Sequence, residues 1–225
     1  MIDTEIEQLQ GQVAARRLLK RGDALFRAGE PFKSVYVVYT GFLKSSVAST
    51  SGREQVTGFH MAGELVGWDG LNSGRHICDV LALEETDVRL LPYDKLENAA
   101  NAMPMLRLQM HKSMSREIVR DHEVMLLLGS LRAEERLAAF LVNLSQRFKA
   151  CGCPHSEFVL PMTRAEIGSF LGLKLETVSR AFSQFDREGL IEVNHRHVRI
   201  VDAAGLRQVV RGRAPESTPP RERPS

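Results

Sequence analysis

One stretch of this chain constrains the fold more than any other feature: Pro104–Ser130, which has no internal proline and only one glycine, Gly129. Its apolar residues and one aspartate recur with alternating steps of four and three, at Met114, Ile118, Asp121, Met125 and Leu128. This spacing is typical of the heptad seam of a helix that pairs with another helix. We therefore predict a parallel dimerisation helix over residues 104–130. The alternative is a long helix that lies on its own domain.

Asp121 is the unusual member of this seam. In a symmetric pair of helices it would face its own copy, where two carboxylates repel each other and lose hydration. We expect Asp121 either to titrate or to weaken the dimer, and so to hold dimerisation back.

The residues before this helix, from about Gly22 to Pro92, follow a different pattern. Short β-forming runs end at glycines or polar turns, and these runs are Val35–Tyr39, Leu43–Val47, Glu54–His60 and Cys78–Leu83. Short strands with closely spaced turn signals are typical of a small antiparallel barrel or jelly roll. The composition is that of folded domains, because 43% of the residues are hydrophobic and 26% are charged.

The residues after the long helix are α-rich again. One helix is predicted over Ala133–Phe148, and another begins at Thr163, which with Glu166 has the spacing of a capping box. Gly172 supplies a turn, and a further helix is predicted over Leu175–Glu188. Two short helices joined by a glycine-centred turn have the geometry of a DNA-binding helix-turn-helix.

The last of these helices carries three polar residues on one face, Glu176, Ser179 and Arg180, spaced i, i+3, i+4. They lie in its first turns, the part of a recognition helix that enters the major groove. Arginine can bind guanine bidentately, glutamate can accept from cytosine, and serine is permissive. The alternative interpretation is a solvated face with an incidental Glu176–Arg180 ion pair.

Residues 190–201 contain two strand-like runs around Asn194 and His195, with Arg196, His197 and Arg199 beside them. A basic hairpin directly after a recognition helix is typical of a wing that contacts phosphates. Such local charge matters here, because the net charge of the whole chain is only +2 and gives no general attraction to nucleic acid.

With these segments in place, the chain resembles the CRP/FNR superfamily of bacterial transcription regulators, from about Glu7 to Val210. Three stretches resemble its FNR branch: Val56–Gly67 in the barrel, Ala133–Phe140 after the seam, and Glu176-x-x-Ser179-Arg180 in the recognition helix. The resemblance implies an α+β fold with an N-terminal cyclic-nucleotide-binding-type β-roll, a long dimerisation helix and a C-terminal winged helix-turn-helix. The expected bounds are 1–103, 104–130 and 131–211, and residues 212–225 are expected to form a disordered tail.

The resemblance also implies a function. We expect a homodimeric transcription activator that reads a TTGAT-like inverted repeat in double-stranded DNA and acts with RNA polymerase in the cytoplasm. Arg180 is then the guanine reader, Glu176 contacts the opposing bases and Ser179 assists. Further DNA contacts are expected from Lys174, Thr163 and Arg196. Lys174 stands where FNR proteins have a threonine cap, and its ammonium group could meet a phosphate instead.

Two departures concern the sensor. FNR proteins that sense oxygen hold a [4Fe-4S] cluster on cysteines near the N-terminus and one in the barrel. Here no cysteine precedes Cys78, and Arg89 stands at the barrel position, so we expect no such cluster.

In members that bind cyclic AMP, an Arg-Ser pair binds the phosphate. Here the pair reads Arg75-His76, so we do not expect cyclic-nucleotide binding.

Other functions are less well supported. The alternative is a ligand-sensing module whose primary role is to bind a cyclic-nucleotide-like effector, but such a module has no use for a winged helix-turn-helix. No enzyme is expected, because no nucleophile–base pair, metal set or phosphate loop is visible.

Cys151-x-Cys153-x-His155 lacks a second ligand pair, and we interpret it as a loop rather than a metal site. The apolar runs are too short to cross a membrane. An odd number of cysteines, three, fits a reducing cytoplasm.

Overall fold

The computed structural model describes residues 15–48, 52 and 54–212, and the structural statements below refer to these residues. The chain divides into two compact units, with the boundary between Val124 and Met125 inside one long helix. The predicted tail, residues 212–225, lies outside the described residues except for Gly212.

The first unit is a roll of two four-stranded sheets. Its strands are β1 (Ala15–Leu19), β2 (Ala24–Phe26), β3 (Ser34–Thr40), β4 (Phe42–Ala48), β5 (Glu54–Met61), β6 (Leu65–Val66), β7 (Asp79–Ala82) and β8 (Thr86–Pro92). One sheet has the order β1–β8–β3–β6 and the other β2–β7–β4–β5, and every pairing is antiparallel. The four predicted strand runs overlap β3, β4, β5 and β7, which confirms the antiparallel roll expected from them.

Both sheets contribute to one buried cluster, because each strand turns its apolar side chains inward. Val38, Leu43, Val80 and Val88 in this cluster are completely or almost completely buried. Gly41 reverses the chain between β3 and β4 with a φ of 85°. A Cβ at this position would lie 2.5 Å from Thr86 Oγ1, so glycine is required there both for backbone conformation and for space.

Two helices follow the roll, α1 (Tyr93–Ala102) and α2 (Pro104–Ser130), and α2 has the bounds predicted from the sequence. The N-terminal half of α2 packs on the roll through a second buried cluster that includes Trp68, Leu106 and Met110. The Trp68 indole N–H donates a hydrogen bond to Ser113 Oγ at 3.2 Å, which satisfies two buried polar groups at once.

The second unit contains the remaining elements. They are α3 (Ala133–Ala150), β9 (Glu157–Val159), α4 (Arg164–Leu171), α5 (Leu175–Arg187), β10 (Ile191–Asn194), β11 (His197–Ile200) and α6 (Ala203–Val210). The strands form an antiparallel sheet in the order β10–β11–β9. Leu137, Leu141, Ile167, Val178 and Phe185 are buried, so α3, α4 and α5 share one apolar core.

The predicted helices over residues 133–148 and 175–188 and the predicted hairpin all have counterparts here. Strand β9 and helix α6 were not predicted. Among the described residues, no helix combines the length and apolar character needed to cross a bilayer.

Candidate nucleic-acid interface

Helix α4, the first helix of the helix-turn-helix, is fixed at both ends. Thr163 Oγ1 accepts a hydrogen bond from the Glu166 amide at 3.2 Å, and Glu166 Oε2 accepts from the Thr163 amide at 2.8 Å. This reciprocal pair is the predicted capping box. Gly172 ends α4 with a φ of 64°. A Cβ on Gly168 would lie 2.7 Å from the Leu173 carbonyl oxygen, so α4 and the turn can pack this closely only because residue 168 is glycine.

Helix α5 separates an apolar stripe from a polar face. The buried stripe is Val178, Ala181, Phe182 and Phe185. Glu176, Ser179 and Arg180 are exposed on the other side, as the spacing predicted. Packing of the stripe therefore fixes the rotation of the helix and leaves these three side chains facing solvent.

The side chains of Glu176 and Arg180 are both available for contacts with a partner. Across the described residues, no ion pair joins them to each other or to any other side chain. Ser179 contributes its backbone carbonyl to a hydrogen bond from Ser183 Oγ at 3.1 Å. The alternative interpretation, an incidental Glu176–Arg180 pair, is therefore not what the structure contains.

The polar face of α5 borders an open surface cleft of about 490 Å³. Residues of α5 on this side are Thr177, Ser179, Arg180, Ser183, Gln184 and Arg187, and Glu134 of α3 completes the lining. Arg187 lies one turn beyond Ser183 and donates from Nε to the Ser183 carbonyl oxygen at 3.3 Å. The cleft shows that hydrogen-bonding groups continue along α5 beyond the three predicted residues.

The predicted wing exists as the β10–β11 hairpin, and β9 adds a third strand to it. His195 adopts a left-handed backbone conformation in the turn, with a φ of 54°. The turn is tied back to the segment before α4. Leu160 N–H donates to the Arg196 carbonyl oxygen at 2.8 Å, and the Arg196 guanidinium donates a short hydrogen bond to the Pro161 carbonyl oxygen.

The wing is less basic than the sequence suggested. His197 Nε2 lies 3.1 Å from Glu157 Oε1 on β9, and Arg199 forms an ion pair with Glu192 across the hairpin. Carboxylates on neighbouring strands therefore lie beside His197 and Arg199, two of the three basic side chains that were expected to contact phosphates. Hairpin pairing places residues 192 and 199 opposite each other, and a one-dimensional pattern does not reveal that neighbour.

Lys174 and Thr163 occupy helix starts in different ways. Lys174 is the exposed N-cap residue of α5, and its side chain makes no capping hydrogen bond. Its ammonium group is therefore available to a phosphate. The Thr163 hydroxyl is already engaged, since it also donates to Glu166 Oε2 at 2.9 Å.

Comparison with known proteins gives a family. Residues 16–102 match the cyclic nucleotide-binding domain and residues 135–209 match the Crp-like helix-turn-helix domain. The transcriptional regulatory protein btr of Bordetella pertussis is 45% identical over 92% of this chain and 85% of its own length. The chain belongs to the CRP/FNR family of transcription regulators.

Other CRP/FNR relatives agree. The fumarate and nitrate reduction regulatory protein of Escherichia coli K12 is 42% identical, over 91% of this chain and 82% of its own length. The structure of FixK2 from Bradyrhizobium japonicum has a TM-score of 0.79 and 32% identity, and the match covers 87% of this chain and 96% of that one. These relatives are transcription regulators rather than enzymes, and the fold is the predicted β-roll, long helix and winged helix-turn-helix.

Two arginines of this CRP/FNR chain matter to the interface and were not predicted as site residues. Arg164, the first residue of α4, lies over the Phe182 ring at 3.3 Å from the centroid and donates to the His195 carbonyl oxygen at 3.2 Å. Burial lowers its pKa to about 10. Arg136 of α3 donates to three backbone carbonyl oxygens, those of Leu128, Leu131 and Leu171.

Neither role could be read from spacing, because Arg164 contacts Phe182 and His195 and Arg136 reaches Leu171, and these partners are distant in the chain. Arg164 links α4, α5 and the wing turn. The only signal for Arg136 was its place in the stretch 133–140, which resembles FNR proteins.

The predicted seam on α2 is only partly exposed. Ile118 and Met125 are 56% and 67% exposed, and Asp121 is exposed beside them. Met114, in contrast, packs on the roll's second cluster, and Leu128 is half-buried. The exposed apolar stripe is instead completed by Leu108, Val119 and Leu126.

The packing of α2 on the roll explains why part of the predicted seam is not exposed. The roll covers the face of α2 that includes Leu106, Met110 and Ser113, and Met114 packs beside them. Heptad spacing does not show which face of a helix meets the sheet, so the predicted seam includes one residue that packs on the roll.

Arg89, which the sequence analysis placed at the barrel position of the FNR cluster ligand, is held by neighbouring side chains of the roll. Arg89 on β8 lies 3.7 Å from Asp87 and stacks over the Tyr39 ring at 4.9 Å from its centroid. A guanidinium supplies no thiolate, and the chain has only three cysteines. Within the described residues, no group of three His, Cys, Asp or Glu side chains is arranged to hold a metal.

The loop that binds the cyclic phosphate in other family members is closed on itself. Arg75 Nη1 donates to the Gly29 carbonyl oxygen at 2.6 Å, and the Arg75 carbonyl oxygen accepts from Ser73 Oγ at 2.7 Å. His76 is buried against Phe26 and bonded to Asp69 at 3.0 Å. The residues at the expected phosphate position are therefore engaged within the roll.

Proposed function

We propose that this CRP/FNR protein is a homodimeric transcription activator that reads a TTGAT-like inverted repeat, with one α5 helix in the major groove of each half-site. The observation that carries the proposal is the exposed Glu176, Ser179 and Arg180 face of α5. Packing of the opposite stripe fixes that face, and the two charged side chains have no ion-pair partner in the described residues. An arginine that stays uncompensated in the free protein is suited to a guanine edge.

The remaining parts of the proposal have separate support. The exposed stripe of Ile118, Val119, Met125 and Leu126 gives α2 an apolar face for a second copy. Activation is proposed because relatives such as the transcriptional activator protein anr of Pseudomonas aeruginosa carry that function in their names. An activator acts with RNA polymerase, and a DNA-binding regulator acts in the cytoplasm, where the bacterial chromosome lies.

Roles follow from position on the interface. Arg180 reads guanine, Glu176 contacts the opposing bases and Ser179 assists. Lys174 contacts a phosphate at the start of α5. Thr163 and Arg196 are weaker candidates for phosphate contacts, because DNA must compete with the hydrogen bonds that they already make in the free protein.

The proposed regulator works without an FNR-type iron–sulfur cluster and without a cyclic nucleotide. Arg89 at the cluster position and the closed Arg75 loop support both parts. The alternative, an effector-binding module without DNA recognition, has no structural support of comparable weight, because the winged helix-turn-helix is complete.

The test is a gel-shift titration of Arg180→Ala on a TTGAT-type palindrome, on single-base variants of it and on random DNA. We expect a loss of about 1–3 kcal/mol on the palindrome and relaxed specificity at one base pair. Arg207→Ala is the matched control, because Arg207 is an exposed arginine of the same unit on α6. Equal losses on specific and random DNA would show that Arg180 contacts only the backbone.

A further inference from the structure

The three cysteines of the chain lie in different surroundings. Cys78 in the roll is half-buried, and its thiol donates a hydrogen bond to Asp69 Oδ2 at 3.4 Å. Burial and the Asp69 carboxylate both raise the pKa of the Cys78 thiol. Cys151 and Cys153 are exposed in the turn that follows α3. Because the thiolate is the reactive form and must be accessible, Cys78 should be inert, whereas the other two can react.

The turn brings Cys151 and Cys153 together. Cys153 N–H donates to the Phe148 carbonyl oxygen at 2.9 Å and Gly152 N–H to the Lys149 carbonyl oxygen at 3.1 Å, which is the pattern of a Schellman cap. Gly152 has a φ of 71°. The chain reverses at this glycine, and Cys153 Sγ lies 3.8 Å from the Cys151 carbonyl oxygen. The second sulfur is thus already folded back over the first cysteine.

This geometry suits a disulfide across a single residue. Disulfides join Cα atoms about 4.4–6.8 Å apart, and two Cα atoms separated by one residue in a bent backbone fall roughly in that range. Arg147 and Lys149 in the last turn of α3 place positive charge near the thiols. Their charge offsets the negative end of the helix dipole.

We propose that Cys151-Gly152-Cys153 is a redox-active dithiol site that closes to a disulfide within the turn, with glutathione disulfide as the oxidant. One thiolate attacks a sulfur of glutathione disulfide, which forms a mixed disulfide and releases one glutathione thiolate. The second thiolate then displaces the other glutathione, so that the S–S bond joins Cys151 and Cys153. The two protons lost by the cysteines are taken up by the two glutathione thiolates, and two electrons pass to glutathione.

A short series of contacts connects the turn at Gly152 to the wing. Phe148, whose carbonyl caps the turn, stacks on Phe158 of β9 with centroids 5.0 Å apart. Ser145 Oγ donates to the His155 carbonyl oxygen at 2.7 Å, and Phe158 pairs with Val198 of the wing. A ring closed across Gly152 competes with the cap and shifts this edge strand. On the proposed function, oxidation should therefore weaken DNA binding severalfold.

Intact-mass spectrometry of the full chain tests the chemistry. The protein is equilibrated with glutathione and glutathione disulfide, quenched with acid and alkylated. We expect the wild-type chain to lose two hydrogen atoms and to carry no alkyl group on Cys151 or Cys153. Cys151→Ser and Cys153→Ser should instead each retain one glutathione, because the second step is blocked. Fully reduced wild-type protein, stable glutathione adducts on it, or a disulfide between two copies would each overturn the proposal.

A gel shift with the same samples tests the link to the wing. The oxidised wild-type protein should bind the palindrome severalfold more weakly, and a dithiol reductant should restore it. The Cys151→Ser/Cys153→Ser double variant should respond to neither reagent. Equal binding by both wild-type forms would overturn the coupling to the wing. Failure of every form to distinguish palindrome from random DNA would instead count against the proposed function, because the mass measurement does not depend on DNA.

Discussion

The same side chain has different functions at different places in this protein, and the local contacts decide which. Arg180 lies exposed on α5, with no ion-pair partner among the described residues. Arg164 is covered by the Phe182 ring and the wing turn, and burial lowers its pKa to about 10. Arg89 is held beside Asp87 in the roll. Of these three arginines, Arg180 alone carries a charge that DNA can use without first breaking contacts within the described part of the protein.

Glu117 of α2 is a carboxylate in an unfavourable place. Its pKa is raised from 4.5 to about 7, mainly by burial and also by Asp121, Asp69 and Glu64, whereas Arg120 opposes the shift. The folded state therefore holds a proton that the unfolded chain releases near its ordinary pKa. It follows that the free energy of unfolding contains a part that is present below about pH 4.5 and is lost as the pH rises to about 7.

Glu117→Gln removes this titration. The quantity to compare is the free energy of unfolding of the variant minus that of the wild type. We expect this difference to be larger at pH 8 than at pH 5 by about 1–3 kcal/mol, after allowance for partial solvent screening. Urea unfolding at the two pH values measures the difference, and Glu123→Gln, an exposed glutamate of the same helix, is the control. A difference that does not change with pH would show that Glu117 ionises in the fold as it does in water.

Among the elements, those with local signals were predictable. The capping box of Thr163 and Glu166, the turn at Gly172 and the bounds of α2 depend on residues close together in the chain, and all agree with the structure. The face of α2 that is buried was predicted less well, because the roll determines which face it covers and heptad spacing does not show it. The ion pair between Arg199 and Glu192 also depends on strand register, which charge patterns do not encode.

Arg136 shows how one side chain can join several elements. Its guanidinium donates to carbonyl oxygens at the end of α2 (Leu128), just beyond it (Leu131) and at the end of α4 (Leu171), at 2.8–2.9 Å. The last carbonyls of a helix have no partner within the helix, so these hydrogen bonds satisfy groups that would otherwise need water. Charge-assisted hydrogen bonds of this kind stabilise more than neutral ones.

We expect Arg136→Ala to lower the free energy of unfolding by about 2–4 kcal/mol. Arg136→Lys should recover less than half of this loss, because an ammonium group cannot reach three divergent carbonyls. Chemical denaturation provides the measurement, and Lys149→Ala, an exposed change on the same helix, should cost less than about 0.5 kcal/mol. A loss in Arg136→Ala no larger than in the control would mean that water replaces the arginine without cost.

At the scale of the whole molecule, the chain places the winged helix-turn-helix and the cyclic nucleotide-binding-type roll in separate units. The recognition helix resembles the FNR branch, and Arg89 and the engaged Arg75 loop support the proposal of a regulator without an FNR-type cluster or a cyclic nucleotide. On that proposal, regulation can act on the pairing of two copies or on the wing. The exposed stripe of α2 is the surface on which the first of these depends.

Asp121 lies at the edge of that stripe, next to Ile118 and Met125. If two α2 helices pair through the stripe, each Asp121 carboxylate approaches the other copy and loses part of its hydration. Like charges about 4 Å apart in water repel by about 1 kcal/mol, which corresponds to about fivefold in the dimerisation constant. Asp121→Ala should therefore raise the dimer fraction at micromolar protein concentration, as measured by sedimentation velocity.

A control variant and a variant with the opposite expected effect show whether the change is specific to Asp121. Glu97→Ala removes the same charge from an exposed position on α1, outside the stripe of α2, and it should change the dimer fraction little. Ile118→Asp adds a carboxylate to the stripe and should shift the protein toward monomer. If Asp121→Ala and Glu97→Ala raise the dimer fraction equally, net charge is responsible. If Ile118→Asp leaves it unchanged, the two copies meet through another surface.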